Sequence, residues 1–368
     1  MSLETALARL GSTGFDARPG VVNSHIHLPP NFSSFRSVDE AVAAARDAGC
    51  VLLGASNYYD YAVYGPFVNS CLESGIVPLL GVEVVCWDQG LADRGQRAND
   101  PANPGKVYLC GKATTRLAPM TNRASAILNR IRNGDRERVR AMAERLWPVL
   151  GMPRAEAWDA VVRQMLGPDP SPESLESAVP QERHLAQAAY VALSAGGSDA
   201  VSRVLGQPEF DASEPTVVQD AIRSRFLKVG KPAYVEEAYV SFEEAVEFVQ
   251  ELGGVVSYPV VADGASPRGD WEADPETLVR VLRERNIGWA EFIPNRNSPE
   301  VLTEFVESLT RSGIRCTAGT EHNTPDGPPV APRCRGGEPV PEACRKVFEE
   351  SAWELAARQA RALSGGHP

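Results

Sequence analysis

Three short apolar runs separated by helix-patterned segments constrain this chain most. Val21-Val22, Cys50-Val51-Leu52-Leu53-Gly54-Ala55 and Ile76-Val77-Pro78-Leu79-Leu80-Gly81-Val82 are continuous rather than alternating, as expected of strands covered on both faces. Between the first two, residues 38–48 read as a helix opened by Ser37 with Glu40 three positions on, the pattern of a capping box. Between the second and third, residues 64–74 read as another helix. Strand, helix and strand in short succession imply parallel strands in a wound sheet or barrel.

The alternation resumes after Pro232, where helices at 241–252, 275–285 and 299–311 alternate with Val255-Val256-Ser257-Tyr258, Trp289-Ala290-Glu291-Phe292 and Arg315-Cys316-Thr317-Ala318. A mostly helical tail follows at 341–363. In the first half, a polar Gly/Pro-rich loop at 88–106 returns into the short strand Lys106-Val107-Tyr108-Leu109-Cys110-Gly111. A loop this long in a compact domain is usually functional or disordered. Between the two alternating regions the pattern is helical, at 136–150, 154–166, 182–194 and 217–228, with breaks such as Gly167-Pro168-Asp169-Pro170. The 368 residues therefore predict an α/β body at 1–119 and 233–368, interrupted by an all-helical insertion at 120–232.

Charge and cysteine usage bound the setting. Lys+Arg number 37 against Asp+Glu 48, for a net charge of −11, which disfavours a large nucleic-acid footprint. The arginines at 123, 130, 132, 136, 138 and 140 read as a solvated helix face. Seven cysteines form no CxxC pair, and an odd count in a long chain argues for a reducing compartment. No run approaches the roughly 20 apolar residues of a membrane span, and an N-terminus with Glu4 and Asp16 is unlike a secretory signal. These features predict a soluble cytoplasmic protein that acts on a small molecule; they leave its oligomeric state open.

The chemistry gathers where strands end. His25-Ile26-His27 follows the first apolar run, in a chain with five histidines. Period-two alternation projects both imidazoles to one side, and two such nitrogens suit Zn, Mn or Fe better than Ca or Mg. Active sites of barrels collect at C-terminal strand ends, and here every end is polar. The second strand ends in Ser56-Asn57-Tyr58-Tyr59-Asp60, the third in Glu83, and the next carries Tyr108 with Lys112 just beyond it. A later strand ends in Tyr258-Pro259 and the last in Glu321-His322-Asn323. His25, His27, Glu83 and Glu321 compose an N2O2 shell for one divalent transition metal. His184, inside a helical run, reads as an ordinary helix-face histidine, and His367 belongs to the tail.

In this order the landmarks resemble the polymerase-and-histidinol-phosphatase (PHP) superfamily of metal-dependent phosphoesterases. They are the HxH at 25–27, Ala55-Ser56-Asn57-Tyr58, Gly81-Val82-Glu83, Tyr108, Gly253-Gly254 with Tyr258-Pro259, and Gly319-Thr320-Glu321-His322-Asn323. Gly230-Lys231-Pro232-Ala233-Tyr234-Val235 and Arg183-His184-Leu185-Ala186 resemble the subgroup with a helical insertion that hydrolyses nucleoside monophosphates and short oligonucleotides. The resemblance implies a distorted (β/α)7 TIM-like barrel and a metal-activated water attacking a phosphoester.

Departures from the family pattern shape the expected chemistry. Asn57-Tyr58 stands where members carry Asp-His; Tyr108 and Tyr258 stand for His, and Asn323 for a terminal His. Tyrosine, with a pKa near 10, is a poor ligand at neutral pH, so the expected centre is mononuclear. Glu83 would act as ligand and proton acceptor, and His322 or Asp60 as the acid for the leaving group. Asn57, Tyr58, Tyr108, Lys112, Tyr258 and Asn323 would orient an oxygen-rich substrate. The competing readings are a non-catalytic ligand sensor or partner-binding protein, and a lyase or amidohydrolase acting on a sugar acid-like compound.

Overall fold

The computed structural model describes residues 2–206, 213–324 and 327–365. A three-stranded parallel sheet is built from β1 (Val21–Ile26), β2 (Cys50–Ala55) and β3 (Val77–Leu80), in that order. Six further strands are β4 (Val82–Trp87), β5 (Lys106–Lys112), β6 (Val240–Ser241), β7 (Val255–Val260), β8 (Trp289–Phe292) and β9 (Arg315–Ala318). They form a second sheet in the order β6-β4-β5-β7-β8-β9. Strands β7, β8 and β9 are parallel, whereas β5 runs antiparallel to both β4 and β7. The parallel strands expected from the first alternating region are present in β1–β3, and β5 departs from the (β/α)7 barrel that the family resemblance implied. The connection from β4 to β5 contains only the five-residue helix Gln89–Asp93, and an antiparallel neighbour requires no crossover helix.

The expected third strand is two strands, broken at Gly81. A Cβ there would lie 2.6 Å from Ser56 Oγ and 2.8 Å from the Gly111 carbonyl, so only glycine lets the chain cross from one sheet to the other. Isolated bridges Ile26–Glu321 and Tyr58–Glu83 then draw the strand ends of the two sheets together.

Helices cover the sheets and bury the main apolar cluster, which includes Leu53, Phe67, Phe248, Phe292 and Phe305. The capping box expected at Ser37 forms only in part. Ser37 Oγ accepts from Glu40 N at 3.1 Å, but the Glu40 carboxylate turns to the Arg36 amide at 2.6 Å. Ser241 and Glu244 do form a reciprocal box at the start of helix Phe242–Glu251.

Every described element between β5 and β6 is helical, and these helices bury a separate cluster around Trp147, Leu185 and Val218. The helix expected from residue 136 begins earlier, as Asn122–Val149, because Thr121 caps the amide of Ala124 at 3.1 Å. Its arginines are engaged, not free. Arg123 and Arg130 reach Glu247 and Glu244 at 2.6 Å, while Arg132, Arg136 and Arg138 donate to carbonyls and Arg140 pairs with Glu144. All seven cysteines are buried and unpaired. No described helix is long and apolar enough to cross a membrane.

Candidate metal centre

His25 and His27 straddle the end of β1, and each is about 1% exposed. Their Nε2 atoms lie 3.3 Å apart. The Tyr58–Glu83 bridge brings β4 beside them, and Glu83 Oε2 sits 3.4 Å from His25 Nε2 and 3.2 Å from His27 Nε2. The three atoms make a near-equilateral triangle. Ligands at zinc-like bond lengths in a tetrahedral shell stand about 3.3–3.4 Å from one another, so the triangle is the open face of such a shell. Glu83 Oε2 is buried and without a hydrogen-bond partner, a condition that calls for an explanation in a folded protein. Two imidazoles and one carboxylate are also a recurrent catalytic ligand set for Zn and Fe. The residues fit a divalent transition metal.

Neighbouring groups aim these ligands. His25 Nδ1 lies 2.7 Å from Glu291 Oε2, which fixes the ring with Nε2 facing the triangle. Burial works against charge on Glu291, but Lys112 and His25 outweigh it and hold its pKa down to about 2. Burial and Lys112 act against an imidazolium at His25, Glu291 and Cys110 act for it, and its pKa lies well above the usual value. Burial likewise opposes ionisation of Glu83, yet the close approach of His25 and His27 lowers its pKa. The other Glu83 oxygen accepts the Tyr58 hydroxyl, whose ring stacks on His27 at a centroid distance of 5.2 Å. Burial, with Glu83 beside it, raises the Tyr58 pKa, so this tyrosine is a neutral donor.

The segment after β9 closes over the histidines. A Cβ at Gly319 would lie 2.2 Å from His25 Cβ, so glycine is required for the chain to pass. Thr320 N and Glu321 N donate to the His25 carbonyl at 3.0 and 2.9 Å, and His27 N donates to the Glu321 carbonyl at 2.7 Å. Glu321 and His322 then adopt φ of 59° and 56°, which turns their side chains apart. Glu321 is held by Arg296 at the pocket rim, with Asn323 donating to it at 3.1 Å. Among the described residues it is not in the His25/His27/Glu83 group, whose ligand atoms lie within 4.8 Å of one another. His322 faces the other way, bonded to Thr320 Oγ1 at 2.8 Å and stacked on Phe35.

A cavity of about 410 Å³ opens over His27, Tyr58 and Glu83, and Tyr108, Glu321 and Asn323 also line it. Burial pushes the Tyr108 phenol up to about 12. The other residues expected at the site lie outside this cavity. Asp60 accepts from Ala62 N at 3.2 Å, and burial raises its pKa. Asn57 holds the Leu28 amide and carbonyl at 2.8 and 2.9 Å. Tyr258 donates to Glu272 at 2.9 Å, and Lys112 lies behind His25 at 2.7 Å from Glu291. His184 is buried in the first turn of its helix, accepting from Gln181 N at 3.0 Å, and burial pushes it down to about 3. His367 lies outside the described residues.

The cavity wall opposite the triangle comes from the helical segment. Arg223 and Lys228 share Glu182 at 2.8 and 2.7 Å. Arg183 packs over the Phe32 ring at 5.7 Å and, among the described residues, has no hydrogen bond and no carboxylate within 4.0 Å. Burial lowers its pKa. Sequence reasoning did not single out Glu291 or Arg296. The signal for Glu291 was a lone carboxylate between Trp289-Ala290 and Phe292 in an otherwise apolar strand.

No protein-family model matches the chain, and no curated protein sequence does. Solved structures do share its fold. An amidohydrolase from Chromobacterium violaceum, solved with bound sulfate and no metal, superposes with a TM-score of 0.61 at 20% identity, over 92% of this chain and 96% of that one. A protein assigned as a metal-dependent phosphoesterase, from Bifidobacterium adolescentis, superposes with a TM-score of 0.62 at 17% identity, over 93% and 98%. The fold is that of these two proteins.

Proposed function

We propose that this protein is a metal-dependent hydrolase of PHP type, with one divalent ion held by His25, His27 and Glu83, acting on a small phosphoester. The convergence of three buried ligand atoms on 3.2–3.4 Å edges carries the reading. An ion held there would supply Lewis acidity, activating a water and neutralising charge on the phosphoryl group. The shared fold with a metal-dependent phosphoesterase and the sulfate in the amidohydrolase neighbour both favour an anionic substrate.

The chain's own residues divide the remaining work. Arg183, a cavity cation with no carboxylate partner among the described residues, binds the substrate's anionic group. Tyr58 holds Glu83 by one oxygen and leaves the other to face the histidines. Asp135 lines the same cavity, and burial, with Glu237 nearby, pushes its carboxyl up to about 7. It can hold a proton near neutrality and deliver it to the leaving oxygen, the role expected of His322 or Asp60.

Kinetics on phosphomonoesters beside matched carboxylic esters and amides test this reading. Arg183→Ala should raise KM for the phosphoester about tenfold or more with kcat little changed, the pattern of lost uniform binding. An unchanged KM would remove Arg183 from recognition. Faster turnover of the amide or ester would move the assignment to carbonyl chemistry. Metal binding without turnover of any of the three classes would favour a ligand-sensing protein.

A further inference from the structure

Beneath the metal-binding triangle lies a second group of potential ligands. His25, Cys110 and Glu291 are all buried, with ligand atoms within 4.8 Å of one another. This position already holds a cation. Lys112 is fully buried, and its ammonium lies 2.7 Å from Glu291 Oε2, 3.0 Å from the Ser24 carbonyl and 3.0 Å from Ser56 Oγ. Three donors meet three oxygen acceptors, so the ammonium is satisfied completely. Lys112 and Cys110 stand two apart on β5 and therefore share the strand face that points at His25.

We propose that Lys112 is the resident cation of a second, internal cation position, and that its side chain limits the centre to a single metal ion. The inference rests on the mononuclear reading above and explains how the second place is kept from metal. The group beside Lys112 offers a carboxylate and a thiol sulfur, Glu291 and Cys110, which are ligands that a borderline-soft divalent ion takes. Charge balance supports the substitution. Lys112 as ammonium, Glu291 as carboxylate and Cys110 as thiol sum to zero. A divalent ion with Glu291 and a Cys110 thiolate sum to zero as well. Exchange needs only that the Cys110 thiol lose its proton to solvent as the sulfur–metal bond forms.

The test compares cobalt(II) loading of the wild-type chain and Lys112→Ala, with Lys112→Gln as a second variant should the first fail to fold. Wild type should bind one ion per chain with no sulfur-to-cobalt charge-transfer band in the near ultraviolet. Lys112→Ala should bind two, show that band, and release one more proton per chain on loading. Cys110→Ser in the same background should abolish both the band and the extra proton. A folded Lys112 variant that binds one ion without the band overturns the proposal, as does a wild type that binds two. A wild type that binds none instead contradicts the mononuclear reading, and a thiolate-bound ion gained by the variant would still uphold the internal position.

Discussion

On one side of His25, Lys112, Glu291, Ser24 and Ser56 satisfy one another at 2.7–3.0 Å. On the other side, His27 and Glu83 leave Glu83 Oε2 buried and without a hydrogen bond. Both clusters have been taken out of water, which is costly for charged groups unless they are paired. The complete cluster therefore works as scaffold, and the incomplete one has the character of a receiver for something brought in from solution. The difference between them, more than the presence of histidines, locates the centre.

The comparison breaks most readily at Lys112. Lys112→Met, studied in chelator, should lose about 3–5 kcal/mol of unfolding free energy because the buried Glu291 carboxylate loses its ammonium partner. Adding Glu291→Gln should recover at least half of that loss. A single variant as stable as wild type by urea titration would show that the complete cluster is no scaffold.

Glu272 sharpens the contrast with a third buried carboxylate. It accepts from the Tyr258 hydroxyl and two backbone amides, yet burial raises its pKa to about 7. The folded value lies above the unfolded one, so the contribution to stability is present below about pH 4 and is lost as pH rises through 7. The loss amounts to about 3 kcal/mol. Glu272→Gln should flatten that decline without changing metal affinity. A variant whose stability still falls across the interval would assign the slope to another group.

The tyrosines give the smaller effects. Tyr58→Phe removes the bond that orients Glu83 and should weaken metal binding by about 10–100-fold. Tyr258→Phe should cost only about 1 kcal/mol of stability and leave metal affinity alone. Equal effects of the two variants on metal binding would dissolve the distinction between a residue at the centre and one beside it.

Sequence made the strand-borne part of the site legible and the turn-borne part much less so. His25, His27 and Tyr108 lie on or beside strands, where a period of two fixes direction, and the structure places His27 and Tyr108 at the cavity and His25 in the triangle. Glu83 was read as the end of one long strand and stands instead on the strand after Gly81, a break set by the crowding of Ser56 and Gly111. Glu321 and His322 were expected to converge with the histidines. Their left-handed backbone sends one to Arg296 and the other to Phe35, and nothing in Gly319-Thr320-Glu321-His322-Asn323 announces that turn. Lys112 was read as facing substrate, because a charge at a strand end is ordinarily solvated. Only the packing of Ser24, Ser56 and Glu291 shows that it points inward. The antiparallel course of β5 was likewise hidden, since an apolar run carries no sign of direction.

Metal content addresses the central claim most directly. Wild type and His25→Ala/His27→Ala would each be incubated with excess Zn, Mn or Fe, desalted, and analysed for bound metal per chain. The account predicts about one equivalent in wild type, the single ion that the His25/His27/Glu83 triangle can hold, and none above background in the double variant. A wild type that retains no ion, or a double variant that keeps the full equivalent, would contradict it.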